Sequence, residues 1–88
     1  MVLYDLHRYE EAAAILSRES NLDAWILIYL VASLGQLGRL AEAQTRGAQF
    51  RDKQPERSLL QFAAIEPYEN LADLDHLLDG LRKAHISP

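Results

Sequence analysis

The sequence predicts an all-α protein made of antiparallel helix pairs. Apolar residues recur at intervals of three and four, alternation of apolar and polar residues is absent, and β-branched residues are few. This combination favours helices over strands. A short segment also repeats after 31 residues, as in stacked helical hairpins. Because the chain has only 88 residues, we expect one small domain whose helices cover one another's apolar faces.

Composition and charge exclude several functional classes. The absence of cysteine excludes a disulfide, a thiolate zinc site and a cysteine nucleophile. Thirteen acidic residues face nine lysines and arginines, for a net charge of −4, which argues against binding to nucleic acid or a membrane surface. The longest nearly apolar run, Trp25 to Leu34, has about half the length that spans a bilayer. With no basic flank of a secretion signal, we expect a soluble cytoplasmic protein.

The first apolar stripe lies near the N-terminus and predicts a helix over about residues 8–18. Its members are four, three, four and three residues apart, as on one face of a helix: Val2, Leu6, Tyr9, Ala13 and Leu16. The helix that should cover this stripe is missing at the start of the chain. We therefore expect a homo-oligomer in which a second copy covers the stripe, through the N-terminal helices or by domain swapping.

A nearly continuous apolar run predicts the second helix, over about residues 22–35. Asp23 stands in the first turn, where a carboxylate suits the helix dipole, and Gly38 follows where the chain must turn. Between Trp25 and Leu34 only one residue is plainly polar. A helix that is apolar all round is covered on more than one side, so we expect this helix to be central or to form an interface.

Two further helices follow in the middle of the chain. A third helix over about residues 39–53 is predicted by small or apolar residues at helical spacing: Leu40, Ala43, Gly47 and Phe50. Pro55 suits the first position of a fourth helix, over about residues 56–65, because its missing N–H would be unbonded there in any case. Pro67 ends that helix at or before the preceding residue.

The fifth predicted helix spans about residues 71–84. Asn70 is a suitable N-cap, and Arg82 and Lys83 lie in the last turn, where cations favour the carbonyl end of a helix. Its apolar stripe consists of leucines at helical spacing, backed by Leu77: Leu71, Leu74, Leu78 and Leu81. Such a stripe requires a partner surface elsewhere.

Residues 6–12 and 37–43 have matching sequences. Each segment contains leucine, a turn residue, arginine, an apolar residue and then Glu-Ala at the same spacing. Gly38 is the turn residue in the second copy and His7 takes its place in the first, where histidine tolerates positive φ better than most residues. The match predicts two equivalent corners, each joining two helices.

This repeat resembles the tetratricopeptide-repeat family. The better match runs from about Asp23 to Pro55 and rests on residues that the family shares: Leu30, Leu34, Gly38, Ala43 and Pro55. The unit departs from the family pattern at Val31, Gly47 and Phe50. The resemblance implies helix pairs stacked as a short right-handed solenoid, ended by a capping helix.

The resemblance also divides the chain and implies a binding surface. Residues 1–20 are a partial repeat, residues 21–55 the best repeat, and residues 56–88 a degenerate repeat with the C-terminal helix. In this family the first helix of each pair lines the concave surface. This implies a set of partner-binding residues on the second predicted helix: Trp25, Ile28, Tyr29, Ala32 and Gln36. The alternative is that the same residues are core.

A second resemblance covers the C-terminal half. The segment from Leu37 to Ala43, Pro55, and the segments Ala72–Leu74 and Leu78–Ala84 are similar to the C-terminal region of bacterial proteins. In those proteins a class III adenylate or guanylate cyclase domain precedes such repeats. The chain lacks the αβ catalytic domain, so this resemblance implies only a context within a larger enzyme.

The polar residues show no catalytic pattern. The densest polar cluster lies in the last predicted helix, at Asp73, Asp75, His76 and Asp79. Two of its carboxylates are one helical turn apart and suit a hard cation, but interleaved leucines favour a solvated face. None of the three histidines has a close ligand spacing: His7, His76 and His85. The serines lack a nucleophile context, so we expect a non-enzyme without metal or cofactor.

The leading functional hypothesis is a non-catalytic protein–protein interaction module that holds a peptide or a partner helix in a groove. The alternative is a C-terminal dimerisation or regulatory segment of a larger enzyme such as a nucleotide cyclase. A basic cluster suits an acidic peptide or, alternatively, a solvated surface; it consists of Arg46, Arg51, Lys53 and Arg57.

Overall fold

Helices form most of residues 2–19, 23–54 and 71–84, the part of the chain that this computed structural model describes. In chain order they are α1 (Val2–Asp5), α2 (Tyr9–Ser17), α3 (Ala24–Gln36), α4 (Leu40–Lys53) and α5 (Leu71–Lys83). These described residues contain no strand, which confirms the all-α prediction for them. The helix predicted over residues 56–65 lies outside the described residues. In the described ranges, every helix is too short or too polar to cross a membrane.

The helix boundaries lie within two residues of the predicted ones and have local causes. Asp23, expected in the first turn, is instead the N-cap of α3, and its carboxylate accepts a hydrogen bond from the Ile26 N–H at 2.9 Å. That bond satisfies one of the amides that a helix start leaves unpaired. The four-residue helix α1 is an addition to the prediction, which began its first helix only at about residue 8.

The corners before α2 and α4 have the same backbone conformation. His7 has a φ of 61° and Gly38 a φ of 73°, both in the left-handed region. The His7 N–H donates to the Tyr4 carbonyl at 3.0 Å, and the Gly38 N–H donates to the Gly35 carbonyl at 3.1 Å. The prediction that histidine replaces glycine at an equivalent turn is therefore confirmed.

The arginine that follows each turn makes the same contacts in both corners. The Arg8 N–H donates to the Leu3 carbonyl and the Arg39 N–H to the Leu34 carbonyl, both at 2.9 Å. Each arginine side chain then pairs with the glutamate three residues further along, at 2.7 and 2.8 Å. The predicted equivalence of the two corners thus extends from the backbone to an exposed ion pair.

Helix α3 is central, because α2, α4 and α5 all pack against it. From Leu27 to Gly35 every residue except Tyr29 is buried. The one polar residue of this run, Ser33, is buried and donates from Oγ to the Tyr29 carbonyl at 2.7 Å. The prediction that this helix is covered on more than one side is confirmed.

Candidate helix-binding face

Helix α5 covers a surface that α1 and α3 form together. We call this surface the groove face and define it by the residues that contact α5: Tyr4, Ala32, Gly35 and Gln36. Leu77 and Leu81 are buried on α5, whereas Leu74 and Leu78 of the predicted stripe are half-buried because they lie farther from α3. The groove face therefore holds one amphipathic helix, with apolar residues inside and polar residues at the edge.

Two glycines let α3 and α5 approach each other closely. A Cβ added at Gly35 would collide with the Gly80 carbonyl and lie 2.8 Å from the Ala84 nitrogen. A Cβ added at Gly80 would collide with the Tyr4 hydroxyl and lie 2.8 Å from the Ala32 carbonyl oxygen. Glycine is required at both positions because backbone atoms of the other helix occupy the space of a side chain.

Tyr4 connects α1 to α5 through its hydroxyl. The Tyr4 Oη donates to the His76 carbonyl at 2.6 Å, and its ring packs edge-on against Tyr9 and Tyr29, with centroids 5.3 and 5.7 Å away. Burial of the side chain raises the pKa of the phenol, against a smaller opposing effect of the Gln36 hydrogen bond. The hydroxyl therefore keeps its proton and remains a donor at physiological pH.

Gln36 connects α3 to the polar edge of α5. Its Nε2 donates to Asp79 Oδ2 at 3.2 Å and to Tyr4 Oη at 3.3 Å, and its Oε1 accepts from Lys83 Nζ at 3.0 Å. Asp79 and Lys83 also form an ion pair at 3.0 Å. The hydrogen bond from Lys83, followed by that from Gln36, lowers the pKa of the Asp79 carboxyl. The carboxylate is therefore charged at neutral pH.

A histidine–tyrosine cluster joins the α1–α2 corner to α5. The rings of His7 and His76 stack with centroids 4.5 Å apart and planes 20° apart. The Tyr9 hydroxyl oxygen lies 2.9 Å from His7 Nδ1 and 2.6 Å from His76 Nε2. Partial burial, and next the nearby charge of His7, lower the pKa of His76 against the opposing effect of three carboxylates.

The five predicted partner-binding residues divide into two groups. Ile28 and Ala32 are fully buried, because the helices that pack on α3 cover them. Their burial is what the core alternative predicts, but Ala32 also lies under α5 on the groove face, so its contact with a partner remains a prediction. Trp25, Tyr29 and Gln36 are half-buried, and their contact with a partner remains a prediction.

The predicted self-association stripe does not lie on one helix, because the turn at His7 separates Val2 and Leu6 from the three members on α2. It is also partly covered within the chain. Ala13 and Leu16 are buried on α2, which packs against α3, so no second copy is needed to cover them. Tyr9 is half-buried and binds His76. Leu6 is 59% exposed, and Val2 is the first residue of α1. Self-association remains a prediction, and Leu6 is the member of the stripe that favours it.

Sequence reasoning missed Tyr4 and Gly80 as members of this site. Gly80 lies among the leucines of the last helix, and the small residue Ala84 follows four positions later. Two small residues at this spacing indicate a helix face that a neighbouring helix can approach closely. No signal pointed to Tyr4, because the carbonyl that it binds, that of His76, is 72 residues away in the chain.

The acidic cluster predicted on the last helix is divided between exposed and paired carboxylates. In the described ranges, no three histidine, aspartate or glutamate side chains are placed to hold a metal ion. Asp73 and Asp75 are exposed on α5, and Asp79 is paired with Lys83. Of the remaining candidates, Arg57 and His85 lie outside the described residues.

A cleft of about 290 Å³ lies between α2, α3 and α4. Its lining is mostly polar and consists of Ser17, Leu34, Glu42, Thr45, Arg46 and Gln49. Arg46 donates to Gln49 Oε1 at 3.1 Å, and Glu42 pairs with Arg39. Arg51 and Lys53 of the predicted basic cluster are exposed on α4 and do not line the cleft.

No protein-family model, curated protein or solved structure matches this chain. The groove face and its occupant α5 are therefore the observations from which we infer a function.

Proposed function

We propose that the chain is a non-catalytic protein–protein interaction module that binds one amphipathic helix on its groove face. The observation that carries this proposal is that α5 already lies on that face. Recognition of a helix in a groove uses apolar anchors at helical spacing and polar contacts at the edge. In α5 the buried Leu77 and Leu81 are the anchors, and Asp79 and Lys83 contact Gln36 at the edge.

A tetratricopeptide-type arrangement is part of the proposal. Helices α1 and α3 would be the first helices of two successive units, and α2 and α4 the second helices. The corners at His7 and Gly38 have the same backbone conformation and hydrogen bonds, which supports this assignment. In such arrays the first helices line the concave surface, which would correspond here to the groove face. Helix α5 would then be an intramolecular occupant of the binding surface.

The contacts of α5 define the chemistry of a competing partner. A partner helix needs two small residues four positions apart, as Gly80 and Ala84 are, because its backbone must approach Gly35. It also needs an acidic and a basic residue spaced like Asp79 and Lys83, so that both bind Gln36. A helix with large residues at the two small positions is excluded by steric overlap.

The test uses the full chain with Gly80→Ala and a synthetic peptide of residues 71–84. The added methyl collides with Tyr4 and displaces the chain's own α5. We therefore expect this variant to bind the native peptide at least about tenfold more tightly than the unmodified chain does, because the face is no longer occupied. Isothermal titration calorimetry measures the affinity.

The matched control is the same peptide carrying Gly80→Ala, which should not bind. Lys83→Ala in the chain is a milder second variant that removes one contact to Gln36 and leaves both glycines in place. It should bind the native peptide more tightly than the unmodified chain. Equal binding of both peptides, or no binding by either variant chain, would contradict the proposal.

The alternative is a self-associating segment of a larger enzyme. Two exposed large apolar residues on the N-terminal half favour it: Leu6 is 59% exposed and Ile15 48% exposed. This alternative predicts contact between the N-terminal helices of two copies, and no competition for the groove face.

A further inference from the structure

The histidine–tyrosine cluster lies outside the residues that define the groove face. His7 lies in the corner between α1 and α2, and His76 lies on α5 at the other end of the chain. Their stacked rings, with centroids 4.5 Å apart, form a contact between these two ends.

The Tyr9 hydroxyl links the protonation states of the two rings. A hydroxyl has one hydrogen, so Tyr9 donates to one ring nitrogen while the nitrogen of the other ring donates to its oxygen. The distances of 2.9 and 2.6 Å to His7 and His76 fit this arrangement, which needs at least one unprotonated ring nitrogen. When both rings are protonated, two positive charges stack 4.5 Å apart and Tyr9 has no ring nitrogen to donate to.

We propose that this histidine pair is a pH-sensitive latch, which holds α5 on the groove face while one ring is neutral and releases α5 when both rings are protonated. Release would uncover Gly35 and Ala32 for a partner helix. This last consequence rests on the proposed function, whereas the latch itself does not.

The charges near His7 and His76 favour protonation of one ring and oppose protonation of both. Three carboxylates act on His76, namely those of Asp5, Asp73 and Asp79. One of them is already paired with Lys83. Tyr4 and Tyr9, whose pKa values are raised by burial, remain neutral, and α3, the other helix against which α5 packs, has no charged residue. The carboxylates therefore stabilise a positive charge on one ring. A positive charge on the second ring is repelled by the first at short range.

The direction of the pH effect follows from the lowered pKa of His76. A group whose pKa is lower in the docked state takes up a proton when α5 leaves. The docked state is therefore favoured above the usual histidine pKa of about 6.5. This stabilisation of the docked state is lost as the pH falls below the usual histidine pKa toward the lowered pKa of His76.

Amide hydrogen exchange of the full chain at pH 7.5 and 5.5, corrected for intrinsic rates, tests the latch. We expect the protection of the Leu77 and Leu81 amides on α5 to fall about tenfold at the lower pH, as for one repelling charge pair. The Phe50 amide on α4 is the internal control and should keep its protection. His7→Asn removes one ring and retains a residue that tolerates the left-handed turn, so α5 should stay protected at pH 5.5.

Two outcomes would overturn the latch. Equal loss of protection on α4 and α5 would indicate global unfolding, and an unchanged loss in His7→Asn would assign the effect to other groups. His76→Gln removes the second ring and gives the same test from α5, should the first variant not fold. Because no partner is present, a negative result leaves the helix-binding proposal intact, and failure of peptide binding leaves the latch intact.

Discussion

Gly35 and Gly80 determine how closely α3 and α5 pack. Each glycine lies where the backbone of the opposite helix fills the space of a Cβ, so neither position tolerates the usual helix-forming residues. Gly38 is required for a different reason: nothing lies near its missing side chain, but its φ of 73° is left-handed. The same residue type thus has two physical roles within four positions.

Gly35→Ala should destabilise the protein by about 1–3 kcal/mol, as overpacking of a tight contact does. Gly38→Ala is the comparison, and it should cost about 1 kcal/mol through backbone strain alone. Urea unfolding measures both. The two differ in a second readout, since only Gly35→Ala should lower the hydrogen-exchange protection of α5. Equal protection in the two variants would show that α5 does not depend on this contact.

At the level of the element, α3 was the most predictable part of the fold. A run with one polar residue requires cover on several sides wherever it lies, so burial of α3 follows from composition. The corners were also predictable, since His7 and Gly38 occupy matching positions and have matching φ values. The corners follow from local sequence because their hydrogen bonds join residues only a few positions apart. The burial of α3 follows from its apolar composition, whichever helices supply the cover.

The docking of α5 could not be predicted in the same way. Its leucine stripe shows that the helix needs a partner surface, but Gly35 is 45 residues from Gly80 and no local pattern connects them. The histidine–tyrosine cluster could not be predicted for the same reason, because Tyr9 and His76 are 67 residues apart. Sequence alone presented His7 as a turn residue and His76 as part of a solvated face, and only the tertiary arrangement joins them.

The N-terminus of α3 supplies a prediction about this element. Asp23→Ala removes the acceptor for the Ile26 N–H and should destabilise the protein by about 1 kcal/mol. Asp23→Asn keeps an acceptor at the same position and should retain most of the stability. Thermal unfolding followed by circular dichroism compares the two. If both variants lose the same amount, the charge of Asp23 rather than its hydrogen bond supports α3.

At the scale of the molecule, the two ends of the described chain meet over α3. Tyr4 of α1 contacts His76 and Gly80 of α5, so the first and last helices complete one core. The buried Leu77 and Leu81 contribute about 1.5–3 kcal/mol each. That sum is comparable to the whole stability of a small domain, about 5 kcal/mol at the lower end. Helix α5 therefore stabilises the core as well as occupying the groove face.

A chain that ends at residue 70 should consequently unfold at a lower temperature, because Tyr4 and the inner face of α3 lose their cover while α2 and α4 still pack against α3. Circular dichroism during heating measures this. Adding the peptide of residues 71–84 in excess should raise the midpoint of the transition, and the rise should grow with peptide concentration. The peptide with Gly80→Ala is the matched control and should leave the midpoint unchanged. A shortened chain that melts as sharply and at the same temperature as the full chain would show that α5 is not needed for the core. The groove face would then be stable without an occupant.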